Sequence, residues 1–336
     1  MTISLAEHTR RPAFWSFRLG LILVLTGLGS PLRAQSDSEP ALSRHILNVS
    51  DAQGIKNFFH YSPDRLPFVS AHRGGPESGF PENCLATFDH TLQHTWAIME
   101  VDPHYTKDGS IVLMHDNTLD RTSTGHGRVS DHTLAEIRRL HLKDPQGNVT
   151  PYRIPTLDEA LQWAKGKTIL ILDQKDVSAE ARARVIQQHH AESYAMVMCY
   201  NFADARACYD LDPDIMMEVF IPDRASIRRF DETGVPWKNV VAFVSHNQPK
   251  DPEVFRLIHE KGAMCILGSS RTLDRDFSEG KIGEPQRDEG YRRLIHQGAD
   301  IIEADLGIAA GSALESMWET KSPRRGDFLG GTTTEP

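Results

Sequence analysis

The sequence predicts a parallel (β/α)8 barrel of the TIM type, and three observations carry that prediction. From Pro67 onward, short apolar runs alternate with helical stretches, one pair after another, over about 250 residues. The apolar runs are hydrophobic on both faces, as expected of parallel strands covered by helices. Several helical stretches begin at a capping-type residue and stop at a glycine, as at Gly166, Gly234, Gly262 and Gly298. A doubly wound open sheet is the runner-up.

Taken in order, residues 1–34 have the layout of a signal peptide. Arg10, Arg11 and Arg18 precede the apolar run LGLILVLTGLG, and Ala34 offers a small residue for cleavage. The run is about a dozen residues, short of a comfortable membrane span. An exported, periplasmic or secreted chain with no stable membrane insertion after cleavage is therefore expected; an uncleaved anchor is the alternative. Residues 35–65 are polar with one short amphipathic piece, and are expected to pack on the barrel around its outside. Residues 66–318 form the barrel. Residues 319–336 are polar and rich in Gly, Pro and Thr, and are expected to be a disordered tail.

Nine strand-like runs occur within 66–318: PFVSAH, AIMEVD, SIVLMHD, TILILDQK, AMVMCY, IMMEVFI, VVAFVSH, AMCILGS and ADIIEAD. Eight strands close a barrel, so one run is surplus. AIMEVD and SIVLMHD have no helix between them, only the turn KDGS, so one of this pair is either an accessory to the barrel or an adjacent strand.

The chain has 336 residues, 25% of them charged, with a formal net charge of −9. Removal of residues 1–34 takes away four arginines and one glutamate and moves this to about −12. Such a surface attracts neither nucleic acid nor an anionic membrane, so positive charge for an anionic substrate must be local. Four cysteines are few for an exported disulfide scaffold. Cys199 and Cys265 lie in apolar runs and are expected to be buried thiols.

Barrel chemistry sits at the C-terminal ends of strands. His72, Arg73, Glu100, Asp102, His115, Asp173 and Lys175 all fall at such ends. Glu100 and Asp102 are two apart on a strand and share a face. Two carboxylates on one face repel unless a cation lies between them, and hard oxygen ligands suit Mg2+ or Ca2+. Asp173 and Lys175 repeat the spacing: Asp173 can complete the metal site, and Lys175 can donate to a phosphate oxygen or pair with Asp173. Arg73 can make the forked contact that phosphate favours, and Gly74 and Gly75 allow close backbone approach. His72 and His115 can divide the proton work of cleaving a phosphodiester.

These residues resemble the glycerophosphodiester phosphodiesterase family. The likeness runs through AHRGGPESGFPENCLATF, MEVDPHYTKDGSIVLMHDNTLDRTSTGHGRVSD, TLAEI, PTLDEAL and ILDQK, about a hundred residues with consistent order and spacing. The resemblance implies a barrel and a divalent-metal-dependent hydrolase of small-molecule glycerophosphodiesters. It implies His72 and His115 as the acid–base pair, Arg73 and Lys175 as phosphate contacts, and Glu100, Asp102 and Asp173 as metal ligands. It also implies attack by a glycerol hydroxyl through a cyclic phosphate. Three departures stand out. The third acid is Asp173 where the family usually has glutamate. The penultimate strand, AMCILGSSRT, lacks the family's tryptophan, so an aromatic wall is expected to be missing. The last strand adds Glu303, read here as a helix cap or an outward salt bridge. The stretch 271–289 is long for a βα connection and suits a lid or a surface insertion.

Two other function classes share this pattern. A phospholipase of the phosphatidylinositol-specific or sphingomyelinase D type uses the same barrel and histidine pair on intact lipids. A non-catalytic phospho-ligand binding barrel keeps the fold alone.

Overall fold

The structure, a computed structural model, describes residues 45–318 and 323–330; the signal-like segment 1–34 lies outside them. Eight parallel strands close into a barrel in sequence order: β1 (Phe68–Ala71), β2 (Ala97–Val101), β3 (Leu170–Leu172), β4 (Ala195–Cys199), β5 (Met216–Phe220), β6 (Val240–Ser245), β7 (Cys265–Gly268) and β8 (Ile301–Ala304), with β8 pairing back to β1. The surplus run is resolved by Ile111–Leu113, which pairs antiparallel with Pro103–Tyr105 in a separate two-stranded sheet. His115 therefore follows an accessory hairpin rather than a barrel strand.

Strand periodicity of two divides each strand between two cores. Outward positions such as Val69, Met99, Leu172, Val197, Val219 and Leu267 join the helices in one apolar cluster. Inward positions Phe68, Ile98, Ile171, Met196, Met216, Val241, Ile266 and Ile301 form another, shared with Ile55, Phe58 and Phe59 of the leader. These inward residues stand toward the N-terminal ends of the strands, so the helix Ala52–Phe58 closes the bottom of the barrel. The leader thus does not run around the outside, because its three apolar side chains are what fills that opening.

The tail also departs from expectation. Residues Pro323–Phe328 are helical, and Leu329–Gly330 pairs antiparallel with Ile46–Leu47. The Phe328 ring packs edge-on against Phe58, centroids 5.3 Å apart, and the Arg325 guanidinium lies over Trp318. An apolar anchor holds a stretch whose composition is that of a loop. All four cysteines are free and buried. Among the described residues no helix is long and apolar enough to cross a membrane.

Candidate active site

A cavity of about 360 Å³ opens at the C-terminal ends of the barrel strands, lined by His72, Arg73, Glu100, His115, Asp173 and Lys175 among others. Six of the seven residues singled out in the sequence therefore converge on it; the seventh, Asp102, lies buried beneath.

The turn after β1 is built by an unusual backbone. Arg73, Gly74 and Gly75 all have positive φ. A Cβ on Gly74 would lie 2.2 Å from the Phe88 ring, so glycine is required there for packing as well as for conformation. This turn aims the Arg73 N–H at Glu100 Oε2, 2.8 Å away, and its carbonyl accepts from the Asn83 N–H at 2.9 Å. Asn83, itself at φ 55°, then clasps Asp102: its Nδ2 donates to Asp102 Oδ2 at 2.6 Å, and its Oδ1 accepts the Asp102 N–H at 3.0 Å.

Glu100, Asp102 and Asp173 each offer a carboxylate oxygen, all within 4.8 Å of one another, and all three residues are buried. Burial and the neighbouring charge of Asp102 push the Glu100 carboxyl well above the usual range. Asp102 moves the other way despite burial, held down by Lys175, His115 and its hydrogen bonds. Lys175 Nζ faces Asp102 at 2.9 Å and also pairs with Asp173, whose second oxygen accepts from Tyr200 at 2.8 Å. Three hard oxygen donors in mutual repulsion fit a divalent cation. A second cluster, His259, Cys265 and Asp300, is already satisfied: Asp300 accepts from Arg65 and from the Cys265 N–H and faces His259.

The two histidines differ in environment. His72 Nδ1 lies 2.5 Å from Asp305 Oδ1, and Nε2 is 3.9 Å from Glu100. Burial opposes its charge, but Asp305, Glu100 and Glu303 outweigh burial and push its pKa up to about 10. His115 is lowered: burial, Arg73 and Lys175 prevail over Asp102 and Asp116. One histidine is thus set to hold a proton and the other to lack one. His115 is steadied by Asp116 at 2.8 Å, which Arg121 grips through two nitrogens; Arg121 also grips Glu82, and Glu82 accepts from Arg73. The buried Arg73 Nε keeps no partner.

Several of these residues had no derived role in the sequence reading. Asp305 stands two positions after Glu303, just past the end of β8, the same spacing that marked Glu100 and Asp102. Glu82 and Asn83 lie in PEN, and Arg121 in the motif after His115, where only their tertiary partners reveal their work. Glu303 is neither a cap nor an outward ion pair. It follows Ile301 on the inward face, lines the cavity and is 2% exposed with Oε2 unpartnered. The aromatic wall is present but displaced: Tyr200, Phe220 and Phe243 line the cavity from β4, β5 and β6, with centroids 6.2 Å and 5.4 Å apart. The stretch 271–289 is not a loop. It holds a π-helical turn, Ser270–Asp274, a short helix, Arg275–Ser278, and the first turns of the helix Glu284–His296.

Paired cations around carboxylates that themselves call for a cation are a pattern completed by a metal and an anion together. On a closed parallel barrel, that defines the class: a TIM barrel built to handle a phosphoester. The model of the glycerophosphoryl diester phosphodiesterase family matches residues 72–277, and the chain belongs to this family. A glycerophosphoryl diester phosphodiesterase structure from Parabacteroides distasonis is 42% identical, with a TM-score of 0.81 over 86% of this chain and 99% of the other. A glycerophosphodiester phosphodiesterase of Bacillus subtilis is 28% identical over 175 residues, 46% of this chain and 59% of that protein. Mouse glycerophosphodiester phosphodiesterase 1 is 38% identical over 144 residues, 41% of this chain and 39% of that protein. The matches thus span less than two thirds of each of these two relatives.

Proposed function

We propose that this chain is a divalent-metal-dependent phosphodiesterase that hydrolyses glycerophosphodiesters to glycerol 3-phosphate and an alcohol. Mg2+ or Ca2+ would be held by Glu100, Asp102 and Asp173. The observation that carries the reading is the convergence of oppositely poised histidines, His72 and His115, on one cavity with a buried three-carboxylate cluster. The family membership and the Parabacteroides relative, which fills nearly its whole length, support it.

A bound cation supplies Lewis-acid polarisation of a phosphoryl oxygen and neutralises the three carboxylates. Arg73 and Lys175, which line the cavity, orient the phosphate oxygens. Neutral His115 takes the proton of the attacking glycerol hydroxyl, and Asp116 holds the ring in place. His72, charged and fixed by Asp305, gives a proton to the departing alcohol oxygen as the phosphorus–oxygen bond breaks and a cyclic phosphate forms. Water then opens the cycle with the two histidines in reversed roles. Export of the chain, inferred from residues 1–34, belongs to the same reading.

The test is release of glycerol 3-phosphate from glycerophosphocholine, glycerophosphoethanolamine and glycerophosphoinositol by metal-stripped protein, with Mg2+ or Ca2+ added back separately. Metal-restored hydrolysis is the expected result. Folded protein that cleaves none of them, yet cleaves an intact phospholipid or only binds, overturns the reading.

A further inference from the structure

The cavity has two unlike halves. β8, β1, β2 with its accessory hairpin, and β3 supply the groups used above. The opposite arc, β4 to β7 with the turns that follow, supplies Tyr200, Phe220, Phe243, His246, Ser270 and Arg271, for which that chemistry has no task beyond the Tyr200 hydrogen bond to Asp173. A diester whose phosphate sits against Arg73 and Lys175 must extend a flanking group into this second half.

Three fixed cations line the cavity. Arg73 is engaged by Glu82, and Lys175 by Asp102 and Asp173. Arg271 is different: among the described residues its side chain makes no ion pair and no hydrogen bond, and it stands exposed at the cavity wall. It is nevertheless carried on fixed backbone. Asp274, in the same π-helical turn, is buried and accepts from Ser269 Oγ at 3.0 Å, from Tyr291 at 2.5 Å and from the Asp305 N–H at 2.8 Å. π-Helical turns occur disproportionately at functional sites.

His246 is the neighbouring polar group. Its buried Nδ1 has no partner, and its ring tilts against Phe243 at 4.7 Å. It has room because β7 ends on glycine: a Cβ at Gly268 would lie 2.6 Å from His246 Nδ1. The missing side chain on the penultimate strand is therefore what admits this imidazole. Burial and the charge of Arg271 lower its pKa to about 4, leaving a neutral ring that can donate and accept.

We infer that Arg271 and His246 form an anion-reading subsite for the alcohol group, so that the preferred glycerophosphodiester carries a second negative charge, such as a phosphate monoester, on a hydroxylated alcohol. The inference rests on the diesterase reading above and goes further by assigning the substrate class. A forked, unpaired guanidinium recognises a phosphate through two parallel donors. The faces of Tyr200, Phe220 and Phe243 supply an apolar wall for the carbon skeleton. A quaternary ammonium group would instead meet the Arg271 charge.

The experiment compares glycerophosphoinositol 4-phosphate with glycerophosphoinositol as substrates for the metal-loaded wild type, Arg271→Gln and Arg271→Lys, with thermal melts to verify folding. The wild type is expected to favour the phosphorylated diester, and Arg271→Gln to lower the ratio of the two kcat/KM values by about tenfold, mostly through KM. Arg271→Lys should retain part of the preference, and the wild-type preference should shrink as ionic strength rises. A wild-type ratio near unity, or a ratio that Arg271→Gln leaves unchanged, overturns the inference. If neither diester is hydrolysed, the diesterase reading fails separately. Calorimetric binding of the two compounds to His115→Ala protein, with and without Arg271→Gln, still decides the role of Arg271.

Discussion

Asn83 offers the sharpest test of how the site is held together. It is 1% exposed, adopts φ 55°, and makes two hydrogen bonds to Asp102, one with the carboxylate and one with the backbone N–H. Replacement by alanine removes both bonds and leaves a left-handed backbone that alanine resists. Loss of a hydrogen bond to a charged group costs about 1.5–3 kcal/mol, and a left-handed non-glycine residue costs about 1–2 kcal/mol. Asparagine tolerates that conformation better than alanine, so Asn83→Ala should lose about 3 kcal/mol of stability in the metal-free protein. For a domain of this size the melting temperature should then fall by about 6–12 °C. Asn83→Gly relieves the backbone strain and loses only the bonds, so it should melt about 2–4 °C above the alanine variant. Both variants leave the Asp102 carboxylate held by Lys175 without its Asn83 clasp, and affinity for Mg2+ or Ca2+ should drop about 10–100-fold by calorimetric titration. An alanine variant that melts and binds metal as the wild type does would refute the claim that Asn83 positions Asp102. Equal melting of the two variants would refute the strain argument.

Four further outcomes follow from the same geometry. His72→Ala and His115→Ala should each lower turnover by about 10²–10⁴-fold with the fold intact by circular dichroism; near wild-type activity in a folded variant removes that histidine from proton transfer. The pH profile should be broad: His115 works as a base only when neutral, and its lowered pKa puts the acid limb below pH 6.5, while His72 works as an acid only when charged, so the alkaline limb lies near 10 or lower once a cation sits beside Glu100. Asp305→Asn removes the strongest support of the His72 charge and should move that alkaline limb to lower pH; an unmoved limb argues against His72 as the acid. Glu100→Gln should raise the melting temperature of metal-free protein and abolish the stabilisation by added metal. The sign follows from the raised Glu100 pKa: the folded state binds more protons than the unfolded one between the two pKa values, so wild-type metal-free stability falls as pH rises through that window, and the amide removes the loss.

The cavity-lining charges are organised in chains rather than pairs. Arg73, Glu82, Arg121, Asp116 and His115 run in unbroken contact along one side of the site. On the other side, Tyr291, Asp274 and Asp305 connect the 271–289 insertion to His72. The insertion thus contacts the partner of His72 on one side and presents Arg271 on the other.

The barrel was legible because its evidence is local and repeated. Apolar runs of strand length, helices stopped at glycine, and carboxylates at i, i+2 are all properties of neighbours in the chain, and a barrel converts strand ends into one site by geometry alone. Glu100, Asp102, Asp173, Lys175, His72 and Arg73 could therefore be named before any coordinates. Three kinds of fact could not. Side-chain direction at the ends of strands depends on where the pleat is set by pairing, which is why Glu303 turned inward instead of capping a helix. Partners distant in the chain depend on closure, which brings Asp305 to His72 across 233 positions and Asn83 to Asp102 through a turn with positive φ. Burial belongs to the assembled molecule: it decides that the polar leader plugs the barrel floor through Ile55, Phe58 and Phe59, and that the aromatic wall comes from β4 to β6 while β7 ends on a glycine that leaves room for His246. Patterns along the chain set which residues share a face; only the packed fold sets what that face meets.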